Sequence, residues 1–192
     1  MKIQKTDYCN IYDDILTIEE QIAIQDIINS KKLKYTSCDY SVGPELQEDN
    51  QDKNCQEYPQ LSAMIIENNE VCNRFSYELS HVLRKFLMIT KFTCKNIHRM
   101  KLNLQEKTDS YPKTNYLTPH VDLDIMHNVL IYYPFDSDGS TFLFEKQSTK
   151  WNIVQSIEPK QGRYVLFSGD QYHSGQPPTK SSVRAVLNID FS

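Results

Sequence analysis

Glycine is scarce in this chain of 192 residues, with 5 in all, which excludes collagen-like, linker-like and Gly-rich low-complexity readings. No run approaches the roughly 18 apolar residues that a membrane span needs. The first residues, Met1-Lys2-Ile3-Gln4-Lys5-Thr6-Asp7, lack the apolar core of a signal peptide. The five cysteines, Cys9, Cys38, Cys55, Cys72 and Cys94, are odd in number and contain no C-x-x-C pair. Zinc ribbons and disulfide frameworks need tighter spacing, so reduced thiols in a cytoplasm are the expectation. Positive charge is short as well. A net charge of −4 discounts nucleic acid as a partner, because phosphate binding usually needs a basic face. A local patch hidden in the acidic average is the route left to it.

What remains is enough for one domain, 1–192, since chains of this size bury roughly 70% of their unfolded surface. Its first part, 1–93, reads as a helical support region. Thr17-Ile18-Glu19-Glu20 has the form of a capping box, and Ile18, Ile22, Ile24, Ile27 and Ile28 follow at roughly helical spacing up to Ser30. Leu33 to Tyr40 suits a strand. Residues 41–58 are acidic and amide-rich without periodicity, which suits a surface loop that grips substrate. A second helix is expected from about Gln60 to Met88, with a break near Asn68-Asn69.

After Thr90 the texture changes to short strands with turn clusters between them, expected near 95–106, 116–124, 127–134, 140–146, 151–158, 163–168, 171–175 and 182–191. About eight short strands without βαβ alternation argue for a mostly β fold, a jelly-roll (cupin-like) double-stranded β-helix over 94–192, with the N-terminal helices packed on its major sheet.

Chemistry concentrates at three places. In Thr118-Pro119-His120-Val121-Asp122, an extended backbone aims His120 and Asp122 at a common point, although H-x-D alone is a weak signal. His173 follows the apolar strand Tyr164-Val165-Leu166-Phe167 by a few residues. Two His and one carboxylate on one face form the facial triad of non-haem Fe(II) oxygenases, with coordination positions left open. Eleven residues further on, Arg184 lies among apolar strand residues, where a guanidinium is costly without a partner. A dicarboxylate chelating the metal at its other end would supply that partner. Parity places Arg184, Val186 and Asn188 on one face, taken as the inner one, and Val129, Ile131 and Tyr133 on another shared face. A Tyr133 phenol so placed could join Arg184 on the same carboxylate; an ordinary core tyrosine is the alternative.

The ordered set of H-x-D, Ile131-Tyr132-Tyr133, Asp138-Gly139-Ser140-Thr141-Phe142, Gly162-Arg163-Tyr164-Val165-Leu166-Phe167, His173 and Arg184 resembles Fe(II)/2-oxoglutarate-dependent dioxygenases, and within them the prolyl 4-hydroxylase-like branch with its small bacterial and phage members. The resemblance covers roughly 94–191. It implies that His120, Asp122 and His173 bind Fe(II), that Arg184 holds the distal carboxylate of 2-oxoglutarate with help from Tyr133, and that Thr141 lines the pocket. The first glycine of the family's Gly-Gly-x-Thr turn is replaced here by Asp138. It further implies oxidative decarboxylation of 2-oxoglutarate with O2, releasing succinate and CO2, with ascorbate as an optional reductant. The expected substrate is an amino-acid side chain such as proline, in a peptide, a protein or a small molecule. Two alternatives stay open: the same iron chemistry on a nucleobase or small metabolite, and a non-catalytic jelly-roll binding module, which would gain if Arg184 paired with a local carboxylate such as Asp190. Asn103 and Tyr116 are further pocket candidates. His81, His98 and His127 read as packing residues, His127 being the nearest spare ligand, and Asp136-x-Asp138-Gly139 reads as a turn because it lacks the later ligands of a calcium loop.

Overall fold

The computed structural model describes residues 1–38, 58–109, 116–147 and 150–192. Its strands are β1 (Lys2–Lys5), β2 (Asn10–Asp13), β3 (Thr36–Cys38), β4 (Gln60–Glu67), β5 (Glu70–Val71), β6 (Ile97–Glu106), β7 (Asn128–Tyr133), β8 (Thr141–Gln147), β9 (Lys150–Ile157), β10 (Arg163–Ser168), β11 (Tyr172–Gly175) and β12 (Val183–Phe191). Its helices are α1 (Ile18–Asn29), α2 (Ser76–Leu79) and α3 (His81–Thr90). The major sheet runs β1-β2-β10-β7-β12-β6-β4-β3, with β5 paired to β4, and the minor sheet runs β11-β8-β9. His120 bridges to His173 of β11, so the segment before β7 adds a fourth short member to the minor sheet. Strands after residue 94 thus alternate between two antiparallel sheets, which is the double-stranded β-helix.

Period-two alternation divides each central strand of the major sheet between two cores. Outward residues Leu130, Tyr132, Tyr164, Leu166, Leu187 and Ile189 pack with Ile24 and Ile28 of α1 and with Val82, Leu83 and Phe86 of α3. Inward residues Val129, Ile131, Val165, Phe167 and Val186 pack with Leu143 and Ile157 of the minor sheet. The helices therefore buttress the major sheet from outside. The capping box of α1 is complete, with Thr17 N–H donating to Glu20 Oε2 at 2.8 Å and Glu20 N–H to Thr17 Oγ1 at 3.3 Å. Ile18 and Ile22 face solvent, so the buried stripe of α1 is narrower than its isoleucine pattern.

The strand expected near 116–124 is reduced to one isolated bridge at His120, with Asp122 in a bend. Two further expectations need correction. Gln60–Glu67 is a strand rather than the start of a helix. A bulge between Met64 and Ile66 breaks its register with β6 and lets Ile65 and Ile66 both be buried, so its apolar residues do not alternate. The break at Asn68-Asn69 is real, but it is the turn of the β4–β5 hairpin, both residues having positive φ. Secondly, the chain opens with β1 and β2, which extend the major sheet beside β10. The acidic segment 41–58 falls outside the described residues except for Tyr58, as do Cys55 and the part of the 107–117 connection at 110–115. No helix among the described residues is long and apolar enough to cross a membrane.

Candidate metal centre and anion pocket

His120, Asp122 and His173 converge, one ligand atom from each lying within 4.8 Å of the others. His173 Nε2 is 3.3 Å from Asp122 Oδ2, and His120 Nε2 is 3.9 Å from Asp122 Oδ1. Each imidazole is oriented the same way. Nδ1 of His120 meets the carbonyl of Thr118 at 2.9 Å and Nδ1 of His173 meets that of Gln171 at 3.2 Å. A carbonyl can only accept, so Nδ1 carries a proton in each ring and Nε2 is the nitrogen turned toward Asp122. Burial, followed by His173, pushes the His120 pKa down to about 4. Burial also disfavours a charged His173, but the charge and hydrogen bond of Asp122 outweigh it and raise its pKa.

Asp122 sits outside any strand and is held by two that flank it. Arg99 of β6 donates from Nη2 to Oδ1, and Asn188 of β12 donates to Oδ2 at 3.0 Å. Arg99 also donates from Nε to Oδ2 of Asp190 at 2.8 Å. Burial of Asp190, with Asp122 nearby, pushes its pKa up to about 7. Arg99 was not singled out from the sequence, although the alternation Arg99, Lys101, Asn103, Gln105 against Met100, Leu102, Leu104 marks a polar face on β6.

Across the same cavity lies Arg184, 6% exposed. Its guanidinium donates to Gly139 O at 2.8 Å, Gln105 Oε1 at 3.0 Å and Thr141 Oγ1 at 2.6 Å. All three acceptors are neutral. Asp190, the carboxylate that would have neutralised it locally, is engaged by Arg99 instead. Two glycines make the room: a Cβ at Gly139 would lie 2.8 Å from Arg184 Cδ, and one at Gly175 would lie 3.0 Å from Arg184 Nη1. Tyr133 is fully buried and donates to the same Thr141 oxygen at 2.6 Å, so its phenol sits behind Thr141 and does not line the cavity. Thr141, Val186 and Asn188 do line it, as does Asn103. Tyr116 packs on Phe142 and Phe144 away from it.

The remaining polar candidates have structural partners. His127 is buried, with Nδ1 2.7 Å from Ile125 O, and its ring lies against Gly169. His81 meets Glu20, and His98 meets Ser192. Asp138 accepts from the N–H groups of Thr179, Lys180 and Ser181, so this aspartate fastens the 179–181 turn.

No family model and no curated protein matches the chain. Solved structures do. A 2OG-Fe(II) oxygenase family oxidoreductase from Burkholderia pseudomallei aligns at TM-score 0.64 and 16% identity, covering 93% of this chain and 81% of its own. A prolyl hydroxylase from Trichoplax adhaerens, in complex with a hypoxia inducible factor peptide fragment, aligns at 0.64 and 11%, covering 97% and 84%. The alpha ketoglutarate dependent epimerase SnoN of nogalamycin biosynthesis aligns at 0.64 and 9%, covering 96% and 78%. The chain therefore has the fold of the 2-oxoglutarate Fe(II) oxygenases. Hydroxylases and an epimerase share that fold, so the reaction and substrate rest on the site.

Proposed function

We propose that this chain is an Fe(II)- and 2-oxoglutarate-dependent oxygenase that hydroxylates an amino-acid side chain, with proline the first candidate, and releases succinate and CO2. The observation that supports it is a buried guanidinium with no carboxylate partner among the described residues, lining the same cavity as a His-Asp-His cluster. A buried cation met by neutral acceptors alone is costly, and a dicarboxylate reaching from the cluster to Arg184 would relieve that cost.

The donor set fits ferrous iron: two imidazoles that turn Nε2 toward one carboxylate, a three-ligand set that leaves positions open. Iron bound there would supply the redox chemistry that couples 2-oxoglutarate decarboxylation to oxidation of the substrate. The chain's own residues bind and orient. Arg184 takes the distal carboxylate, Thr141 and Tyr133 fix the guanidinium, and Leu117, Ile131 and Val186 give the cavity dry walls. A non-catalytic binding module has no evident use for a charge held this way.

The test is an anaerobic titration with Fe(II) and then 2-oxoglutarate, following the weak visible charge-transfer band of a keto acid chelated to ferrous iron. A saturable band supports the reading. Iron binding without a band overturns it.

A further inference from the structure

The inner face of the major sheet changes character across its width. Over β10 and β7 it is apolar and covered by Leu143 and Ile157 of the minor sheet. Over β6, β4 and β3 the same face carries Lys101, Asn103, Ser62 and Thr36, and continues to Lys34, Lys32 and Arg74. Two cavities share this polar half. Ser62 lines the outer one, and its Oγ donates at 2.8 Å to Asn103 Oδ1, which lines the metal cavity. Met64, also in the outer cavity, stands opposite Lys101 in register. The two cavities are therefore neighbours across one strand spacing, about 4.8 Å.

The outer cleft presents Lys32, Lys34 and Arg74, and none of its described lining residues is acidic. Lys101 makes no ion pair with any described residue, and burial together with Arg99 disfavours its charge. In a chain of net charge −4, this is, among the described residues, a segregated cationic strip beside the His-Asp-His cluster. Its charges are strung out, not convergent. Extending the β3–β4 register by two residues sets Lys34 opposite Met64, two strand spacings or about 10 Å from Lys101. One phosphate would be gripped by donors converging within hydrogen-bond reach, about 3 Å. Charges spaced along a strip suit an extended chain, whose side chains recur on one face about every 7 Å. Single-stranded nucleic acid has similar charge spacing, but it is held by aromatic stacking platforms, and neither cavity has a Phe, Tyr or Trp in its described lining.

We infer that the substrate is an acidic peptide, its target residue at the His120–Asp122–His173 cluster and its flanking carboxylates on Lys101, Lys34 and Arg74. This rests on the oxygenase reading and names its substrate class. The test uses the full chain with Fe(II) and 2-oxoglutarate under anaerobic conditions. Three fluorescein-labelled probes are titrated by anisotropy: a proline flanked by glutamates, the same peptide with glutamines, and an oligothymidylate of about ten nucleotides. The glutamate peptide should bind roughly tenfold tighter than the glutamine one and weaken as salt rises. The exposed double variant Lys34→Glu/Arg74→Glu, checked for folding by circular dichroism, should lose roughly tenfold in glutamate-peptide affinity. Equal binding of the two peptides, no binding, an unaffected variant, or oligothymidylate binding as tightly as the glutamate peptide would each overturn the inference. The charge-transfer band in the same samples separates the two readings. A band without peptide binding removes the strip alone; strip-dependent peptide binding without a band removes the oxygenase reading and leaves the strip a peptide site.

Discussion

Arg99 and Asp122 are joined by a charge-assisted hydrogen bond from Nη2 to Oδ1, the same carboxylate oxygen that faces His120 Nε2 at 3.9 Å. A metal-cluster residue lying outside any strand is thereby tied to β6, the longest strand of the major sheet, and Asn188 ties its other oxygen to β12. The sheet, more than the connection that carries Asp122, fixes where the carboxylate points.

Replacing Arg99 by methionine should therefore act on both stability and metal affinity. Asp190, fully buried, would lose its cationic partner while its Oδ1 already lacks a hydrogen bond. The expected loss is about 3 kcal/mol, as for other broken buried pairs, read from the urea midpoint at constant m-value. Fe(II) affinity should fall at least tenfold. Adding Asp190→Asn to Arg99→Met should recover part of the stability and none of the metal affinity.

Around Arg184 the structure separates roles that the sequence reading merged. Tyr133 reaches Thr141, not the cavity, so Tyr133→Phe should change the 2-oxoglutarate dissociation constant less than threefold. Arg184→Ala should raise it by two orders of magnitude or more, as expected when a desolvated charge pair loses one partner, about 3 kcal/mol. Thr141→Val would leave two buried donors without their acceptor and should cost about 2 kcal/mol of stability. Equal effects of Tyr133→Phe and Arg184→Ala on the titrated band would contradict this geometry.

Most strand positions after residue 94 and the capping box could be read from sequence because each is local or set by period-two alternation; His120, Asp122 and His173 do converge, but Asp122 lies outside any strand and is aimed by Arg99 and Asn188 rather than by alternation. What escaped reading depends on partners distant in the chain. β4 looked helical because its bulge breaks alternation and because its partners, β3 and β6, lie on either side in space. Arg99 and Lys101 drew no reading, since polar residues alternating along a strand suit the solvent face of a half-buried strand; only the curl of the two sheets shows that this polar face turns inward. Tyr133 was placed on the correct face of β7, yet alternation says nothing about depth, and Thr141 intervenes.

Gly175 tests how closely the backbone must approach the guanidinium. A methyl group there would press on Arg184 Nη1 at 3.0 Å, and a neighbour that close must give way. Gly175→Ala should raise the 2-oxoglutarate dissociation constant about tenfold by displacing the guanidinium, while thermal unfolding changes by a few degrees. At Gly139 the obstacle to an added Cβ is the Gln176 carbonyl, which is backbone and cannot swing aside. Gly139→Ala should thus be the more destabilising of the two.

Glu20 sets a pH dependence far from the metal. Burial alone would raise its pKa, but the N–H of Thr17, the ammonium of Lys85 at 2.9 Å and His81 hold it down, from 4.5 to about 2. A carboxyl whose folded pKa is lowered contributes stability that is present above about pH 4.5 and lost as pH falls toward about 2. Glu20→Gln should cost about 1 kcal/mol at pH 7, the scale of a lost cap. The gap to wild type should narrow as both are measured from pH 5 down to pH 3. A gap independent of pH would assign the loss to packing of α1 on α3.

Metal binding itself should register as stability, because the cluster gathers a buried carboxylate and two oriented imidazoles before any ion arrives. A divalent ion that binds only the folded chain stabilises it by RT ln(1 + [L]/Kd), about 2.7 kcal/mol at a hundred times Kd. For a chain of this length that is a rise on the order of 5–10 °C in Tm. Co(II), which is not oxidised in air under these conditions, is the convenient probe, and EDTA should reverse the shift. Asp122→Ala should abolish it, since two imidazoles alone give neither charge neutralisation nor a third ligand. Arg184→Ala should keep it, since Arg184 contacts no ligand atom, and 2-oxoglutarate added after Co(II) should then raise Tm further in wild type but not in Arg184→Ala. A Co(II) shift that survives Asp122→Ala would place the ion elsewhere on the chain.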